Sequence, residues 1–203
     1  MFLLFIPHSF LYSEIGVRFG TNITNQSWEY SELDLNRNFE NRFGPNIGVN
    51  YKILELNYFD LYADVSYCQM RTSEKMKGTL VWQNQQGYID ADVITLKNEF
   101  DFISFALLAH LKPFQTKLNP YLCFGPRVDY LHDKHSNYNS IVIKNFNNYV
   151  YGIVIGVGFE IHAYKSSSVV IESTVNTDVS YLYNTDQLSV KKSSYNLVVG
   201  YNL

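Results

Sequence analysis

Charged residues recur at alternate positions in several segments of this 203-residue chain. The set comprises Arg18, Lys52, Asp60, Asp64, Arg127, Asp129, Glu160, Glu172 and Asp178. Alternate side chains of an extended strand point to opposite faces, so these residues share one face of a sheet. Acidic and basic groups on one face form ion pairs, and in apolar surroundings they also mark proton or ion pathways. This set is therefore the candidate polar site of the protein.

Two short hairpins predict specific contacts within the set. The first hairpin sets Lys52 opposite Asp60, as an ion pair across neighbouring strands. A later hairpin sets Glu160 opposite Glu172, and these carboxylates repel one another unless a cation lies between them. The candidate site thus combines ion pairing with an excess of carboxylates.

The spacing of the other groups of reactive residues is less typical of a functional site. The run His132–Ser136 holds two histidines beside a carboxylate, but a zinc site takes a further protein ligand or an open catalytic position. We interpret the run as a solvated loop. Ser136 follows His135 directly, and neighbouring residues of a strand point apart, so they are not a nucleophile and its base. Cys68 and Cys123 fall on different strands and are predicted to be free thiols. No catalytic, cofactor-binding or metal-binding residue is predicted.

The candidate residues lie in eight segments in which apolar residues alternate with small or polar ones. In the sixth segment, for example, Tyr151, Ile153 and Ile155 share one parity, and glycines and Glu160 occupy the other. The predicted strands are Glu14–Thr21, Phe43–Ile53, Phe59–Cys68, Ile94–Leu111, Tyr121–His132, Tyr149–Ala163, Ser168–Tyr183 and Ser194–Leu203. Each strand therefore has one bulky apolar face and one polar face.

Two features interrupt this regular pattern. Lys97, Glu99 and Asp101 share the parity of the apolar face of the fourth strand, so that strand either extends beyond a bilayer or contains a bulge. Pro45 and Pro126 each remove a backbone donor from the ladder. We therefore predict a local bulge at both prolines.

Lipid is the environment that best accommodates eight such strands. Their glycine-rich polar faces fit the narrow inside of a barrel, and their bulky faces, ending in Tyr and Phe, fit a lipid-facing band. Long and short connections alternate, and the largest polar loops are residues 22–42 and 69–93. The sequence predicts an all-β fold, an eight-stranded antiparallel up-and-down transmembrane β-barrel over residues 14–203. A soluble lipocalin-like barrel and a β-sandwich with a buried core are the alternatives.

The interior of such a barrel has room only for side chains. We therefore interpret the charged set as a polar plug that fills and stiffens the barrel, with proton transfer or an ion path as the alternative. The overall composition agrees with a membrane barrel. Charged residues are 17% and aromatic residues 16% of the chain, and the net charge of −3 gives no basic surface for nucleic acid. The apolar start, residues 1–13, is interpreted as a truncated signal-peptide remnant.

A family resemblance is carried by residues 96–114, LKNEFDFISFALLAHLKPF, and by residues 118–131, LNPYLCFGPRVDYL. The steps Pro120–Tyr121 and Gly125–Pro126 match the start of a strand in the outer-membrane β-barrel family of Gram-negative bacteria. That family includes PorT-like proteins and eight-stranded barrels of the OmpA and OmpX type. The resemblance implies a location in the cell outer membrane and no cofactor.

From these features we expect a non-catalytic integral outer-membrane protein, structural or binding, or a subunit of a surface or secretion assembly. Expected partners are outer-membrane lipid and lipopolysaccharide, and a protein bound through loops 22–42 and 69–93. The C-terminal strand YNLVVGYNL is similar to the signal of the barrel-assembly machinery, with Leu203 where that signal usually has Phe. A lipid-modifying enzyme is the alternative from another class, but the outward faces show no Ser/His/acid set.

Overall fold

The computed structural model describes residues 14–31, 40–81, 88–114, 116–136, 141–164 and 167–203. Its long strands are β1 (Ile15–Tyr30), β2 (Glu40–Leu56), β3 (Phe59–Val81), β4 (Tyr88–Leu111), β5 (Leu118–Ser136), β6 (Tyr149–Tyr164), β7 (Ser167–Asp178) and β9 (Leu188–Asn202). Between them lie a short helix, α1 (Ile141–Lys144), and a two-residue strand, β8 (Tyr183–Asn184). No helix of the described part is long and apolar enough to cross a membrane. The predicted signal-peptide remnant, residues 1–13, lies outside the described residues.

The eight long strands form one closed antiparallel sheet. Each strand from β1 to β6 pairs with the next in the chain, β7 pairs with β9, and β9 pairs with β1 to complete the cylinder. Closure removes the open sheet edges whose backbone groups hydrocarbon would leave unpaired. The predicted eight-stranded up-and-down barrel is therefore confirmed, and the β-sandwich alternative is wrong.

The lower part of the barrel, where Glu14, Leu203 and the short turns lie, has bulky apolar residues on its outside, here named the apolar belt. Phe19 is 58% exposed, Ile155 58% and Leu197 55%, whereas residues of the other parity are mostly buried in the interior. Along β9 and the residue that follows it, the exposed apolar row runs from Tyr195 to Leu203. The length of this row matches the roughly 9–11 residues that a tilted strand needs to cross the hydrocarbon core of a bilayer. An outward apolar face is opposite to that of a soluble lipocalin-like barrel.

The segments predicted as large loops, residues 22–42 and 69–93, are mostly strand. In these upper segments the apolar residues point inward and the polar residues point outward, which is the reverse of the lower part. Trp28, for example, is buried, and its outward-facing neighbours are polar. Outside the bilayer the barrel interior becomes the apolar environment, so a strand there has polar residues on its outer face. Residues 32–39 and 82–87 lie outside the described residues.

Strand β4 extends beyond the apolar belt without changing phase. Its register with β3 is unbroken from Leu111 to Val93, so Lys97, Glu99 and Asp101 continue the outward face. Of the two predicted explanations for these charged residues, extension beyond the bilayer is therefore confirmed.

The two prolines have different effects on the sheet. The β2–β3 pairing shifts register beside Pro45, which confirms the predicted bulge there. The β4–β5 pairing is interrupted at Pro126 but resumes in the same register, so the bulge predicted there is wrong, and β5 has its extra residue at His132. A Cβ atom on Gly125 would overlap the backbone oxygen of Leu107. Glycine therefore lets the two backbones stay close enough to keep the register beside the proline.

Strand β7 ends at Asp178, before the predicted end at Tyr183. The backbone N–H of Val179 then donates to the carbonyl oxygen of Tyr151 at 2.8 Å, and the chain leaves the sheet. This departure places Leu182 in the interior, where it is completely buried. The upper mouth of the barrel is therefore covered partly by the chain that follows β7.

Two smaller predictions concern reactive side chains. Cys68 and Cys123 are both free, as predicted. The run His132–Ser136 belongs to β5, so its prediction as a loop is wrong. The reason is the same extension of the strands above the apolar belt.

Candidate functional site

All nine residues of the candidate set point into the barrel, and none is more than 8% exposed. They form two groups along the barrel axis. The lower network comprises Arg18, Lys52, Asp60, Asp64, Glu160 and Glu172, together with Glu14 and Lys112. The upper network comprises Arg127, Asp129 and Asp178, together with Ser104 and Lys192.

Arg18 is the centre of the lower network. Its guanidinium lies 2.8 Å from Asp64 Oδ2 and 2.6 Å from Glu172 Oε1. The second oxygen of Glu172 accepts a hydrogen bond from the Tyr121 hydroxyl at 2.9 Å. The planar fork of an arginine is suited to serving two carboxylates at once. Arg18 therefore ties β1 to β3 and β7 through the lumen.

The predicted pair of Lys52 with Asp60 is wrong. The paired strands continue to Leu56 and Phe59, so the turn is shorter than predicted; Glu55 lies opposite Asp60, and Tyr62 lies opposite Lys52. Lys52 instead contacts Glu14, and it lies 3.3 Å from Glu55. The position of the turn sets every cross-strand partner in a hairpin, and the sequence pattern does not reveal that position to the residue.

Asp60 is paired with Lys112, which lies in the turn after β4. The Lys112 ammonium is 2.5 Å from Asp60 Oδ2 and 2.5 Å from Glu160 Oε2. Burial lowers the pKa of Lys112, but the carboxylates of Glu160 and Asp60 outweigh burial and raise this pKa above its ordinary value. Lys112 is therefore a charged group that joins β3 and β6 at the lower end of the lumen.

The predicted contact of Glu160 with Glu172 is also wrong. A register shift near the β6–β7 turn places Val170 opposite Glu160 and Gly158 opposite Glu172. Glu160 also accepts a hydrogen bond from the Ser168 hydroxyl at 2.7 Å. Each of the two carboxylates therefore has its own cationic partner, and they need no shared cation between them.

The upper network is balanced in charge. Arg127 lies 2.6 Å from Asp178 Oδ1 and 3.3 Å, through Nε, from Asp129 Oδ1. Lys192 and the hydroxyl of Ser104 also contact Asp129. Two cations thus face two carboxylates, and buried charges are tolerated when they are paired and hydrogen-bonded in this way.

Between the two networks lies a cavity of about 40 Å³. Its lining includes Arg18 and Asp64 from the lower network and Arg127 from the upper one. A volume of this size holds only a few water molecules. The cavity is therefore a space of water size between two layers of ion pairs.

An apolar cluster, here named the apolar cap, lies above the upper network. It comprises Trp28, Met70, Phe100, Phe102, Leu131, Ile143, Phe146, Val150, Leu182, Leu188 and Val190. The segment after β5 contributes Ile143 from α1 and Phe146, whose ring centroid lies 5.5 Å from that of Phe100. The described side chains therefore fill the lumen from the lower turns up to the cap.

The polar residues of this interior that the predicted set did not contain include His110, Lys112, Tyr121 and Lys192. His110 and Tyr121 have the inward parity of their strands, so the signal for them was present in the alternation. Lys112 lies in a turn, where parity gives no direction. Lys192 precedes Ser194, where the last strand was predicted to begin, and only the longer β9 places it inside.

Comparison with known proteins agrees with this geometry. Residues 7–184 match the model of the family described as outer membrane protein beta-barrel domain. The chain is similar to the outer membrane protein OprG from Pseudomonas aeruginosa, with TM-score 0.53, 10% identity, and coverage of 94% of this chain and 95% of OprG. It is also similar to Neisserial surface protein A, with TM-score 0.52, 10% identity, and coverage of 93% of this chain and 96% of that protein. None of the curated proteins compared with the chain matches it.

The family match extends over most of the chain, and the two structural likenesses show the same fold. Outer-membrane barrels have short turns in the periplasm and long connections outside the cell. The lower network therefore faces the periplasm, and the apolar cap faces the exterior. The predicted family resemblance and location are confirmed. The chain belongs to the outer membrane protein β-barrel domain family and is an integral protein of the outer membrane.

Proposed function

We propose that the protein is a non-catalytic barrel that conducts no ions and acts through its extracellular part, as a structural or binding subunit of a surface or secretion assembly. The filled lumen is the observation that carries this proposal. The lower network, the upper network and the apolar cap follow one another along the barrel axis. A solute in transit has to separate buried ion pairs, and breaking one such pair costs about 3–5 kcal/mol.

The extracellular part is built from strands rather than from loops alone. Strands β3 and β4 contain 23 and 24 residues, whereas the bilayer requires about 9–11. Side chains on the outer face of this extension interact with one another: Gln69 donates to Asp101 at 3.0 Å, and Arg71 lies 3.5 Å from Glu99. We therefore propose a stiff polar rim as the surface that binds a protein partner, in place of the two loops expected from the sequence.

Two further partners belong to the proposal. The bulky outward rows contact outer-membrane lipid and lipopolysaccharide, since lipid surrounds the belt that they form. The outward face of β9, with Tyr195, Leu197, Val199 and Tyr201, is the element that the barrel-assembly machinery recognises during insertion.

The side chains at the rim support a non-catalytic role. His135 lies 3.0 Å from Asp133, and both side chains are well exposed. The neighbouring Ser136 hydroxyl donates instead to Asn98 Oδ1 at 2.6 Å. A serine nucleophile needs its base within hydrogen-bond reach. The Ser136 hydroxyl therefore serves as a donor to Asn98, and His135 is paired with Asp133.

Photo-cross-linking in living cells tests the partner surface. Lys97 is exposed on the outer face of β4, and it lies six residues above Ile103, roughly 20 Å along the strand. We expect a photoreactive phenylalanine at Lys97 to give a discrete protein adduct on irradiation. The same substitution at the lipid-facing Leu107 is the matched control, and there we expect lipid adducts only.

The adducts are identified by mass spectrometry after purification of the barrel. A protein adduct at position 97 that is missing at position 107 supports a partner at the rim. If both positions yield only lipid or lipopolysaccharide adducts, the partner-binding role is contradicted.

A further inference from the structure

Three potential metal ligands meet in the lower half of the lumen. They are His110 of β4, Cys123 of β5 and Glu172 of β7, and their ligand atoms all lie within 4.8 Å of one another. All three residues are at most 4% exposed. His110 and Cys123 are direct partners in the β4–β5 pairing, and the curvature of the barrel brings Glu172 of β7 to them.

The ligand atoms have coordination capacity to spare. His110 Nε2 is buried and has no hydrogen-bond partner within the part of the chain that the structure describes. It lies 3.8 Å from Glu172 Oε2, which accepts one hydrogen bond from the Tyr121 hydroxyl and has a second lone pair, whereas Arg18 pairs with the other carboxylate oxygen, Oε1. Zinc bonds of about 2.0–2.3 Å place tetrahedral ligands roughly 3.3–3.8 Å apart. A zinc ion therefore fits between His110 and Glu172 with little movement of either.

Neighbouring residues hold the ligands and leave room for them. The imidazole of His110 stacks on the Tyr121 ring, with centroids 4.5 Å apart and planes at 11°. On β6, a Cβ atom at Gly156 would lie 2.9 Å from Cys123 Sγ, and one at Gly158 would overlap the Tyr121 ring. These two glycines thus form a cradle that a larger residue would fill.

The charge of the surroundings also favours a cation. The cations of the lower network are Arg18, Lys52 and Lys112, and its carboxylates are Glu14, Asp60, Asp64, Glu160 and Glu172. Carboxylates therefore outnumber cations here, unlike in the upper network. A divalent ion that displaces one thiol proton adds one net positive charge and offsets part of this excess.

We infer that His110, Cys123 and Glu172 form a binding site for a transition-metal ion of the zinc class, with water in the remaining position. Thiolate and imidazole ligands suit Zn²⁺, whereas Mg²⁺ and Ca²⁺ take oxygen ligands. On binding, the S–H bond of Cys123 breaks, a metal–sulfur bond forms and the proton passes to solvent. The ion then links β4, β5 and β7 inside the barrel.

Cobalt titration of the refolded full chain in detergent tests this site. Cys68→Ser serves as the background, so that Cys123 is the only thiol. We expect a thiolate-to-cobalt charge-transfer band that saturates at about one Co²⁺ per chain and disappears when Zn²⁺ is added. In this background, Cys123→Ser abolishes the band, and His110→Asn weakens Co²⁺ binding at least about tenfold. His135→Asn, at an exposed histidine, leaves binding unchanged.

Heat-modifiable gel migration shows which variants fold. If Cys123→Ser does not fold, alkylation of Cys123 in the Cys68→Ser background gives a second reading, because bound Zn²⁺ shields the thiolate. Slower alkylation with Zn²⁺ supports the site. A folded barrel without the band, an unchanged band in His110→Asn, or alkylation that Zn²⁺ does not slow overturns it.

Discussion

Replacing Arg18 by methionine lowers the free energy of unfolding by about 3–5 kcal/mol, because two buried carboxylates lose the guanidinium that they share. Asp64 and Glu172 lie 2.8 and 2.6 Å from that guanidinium, and all three side chains are at most 9% exposed. Methionine keeps much of the side-chain volume, so the loss reports the charge rather than a cavity. The measurement is urea-induced unfolding of the refolded barrel in lipid vesicles.

Arg71→Met is the matched control for this prediction. Arg71 also pairs with a carboxylate, that of Glu99, but at 3.5 Å and with both side chains more than a third exposed. Exposed pairs contribute about 0–1 kcal/mol, so this variant is expected to unfold close to the original chain. Equal losses for Arg18→Met and Arg71→Met would contradict a structural role of the lower network.

Replacing Ile155 by arginine costs about 2–4 kcal/mol, the penalty for a cation on the lipid face near the bilayer midplane. Ile155 is 58% exposed and lies midway along the outward row of β6, from Tyr149 to Ile161. A residue so exposed in water would tolerate this change with an effect of about 0.5 kcal/mol or less. The size of the loss therefore reports whether lipid surrounds this row.

Ser27→Arg provides the comparison for the lipid face. Ser27 is exposed on β1 above the apolar belt, where the structure places the strand in water. Refolding yield and unfolding free energy in vesicles are expected to stay unchanged for this variant. A similar penalty at both positions, or none at Ile155, would show that the belt is assigned to the wrong surface.

The alternation in the sequence predicted which face each candidate residue occupies, because lipid outside and a narrow lumen inside impose a period of two. Arg18, Asp64 and Asp178 are buried for this reason. Their partners were not predictable in the same way. Lys52 is not opposite Asp60 because the β2–β3 turn is shorter than predicted, and the partner of Asp60 is a lysine in a turn. Both depend on backbone detail that hydrophobic periodicity does not record.

The upper part of the barrel shows a second limit of the sequence pattern. Trp28 and Phe100 belong to regular strands, but there the apolar parity is the inward one. Where a strand leaves the bilayer, its apolar residues change from the outward face to the inward face. The extension of the strands was therefore predicted partly as loop. His110 shows a third limit, since parity gives the face of a residue but not its neighbours in the lumen. Its contact with Tyr121 depends on the β4–β5 register, and its contact with Glu172 depends on the curvature of the barrel.

Single-channel recording in planar lipid bilayers tests the filled lumen most directly. The refolded barrel is first shown to be inserted, by heat-modifiable migration of the same vesicles that are fused to the bilayer. Two ion-pair networks and an apolar cap in series then predict no current steps above those of the bare bilayer. Long-lived, uniform openings of the inserted barrel would contradict the proposed sealed interior.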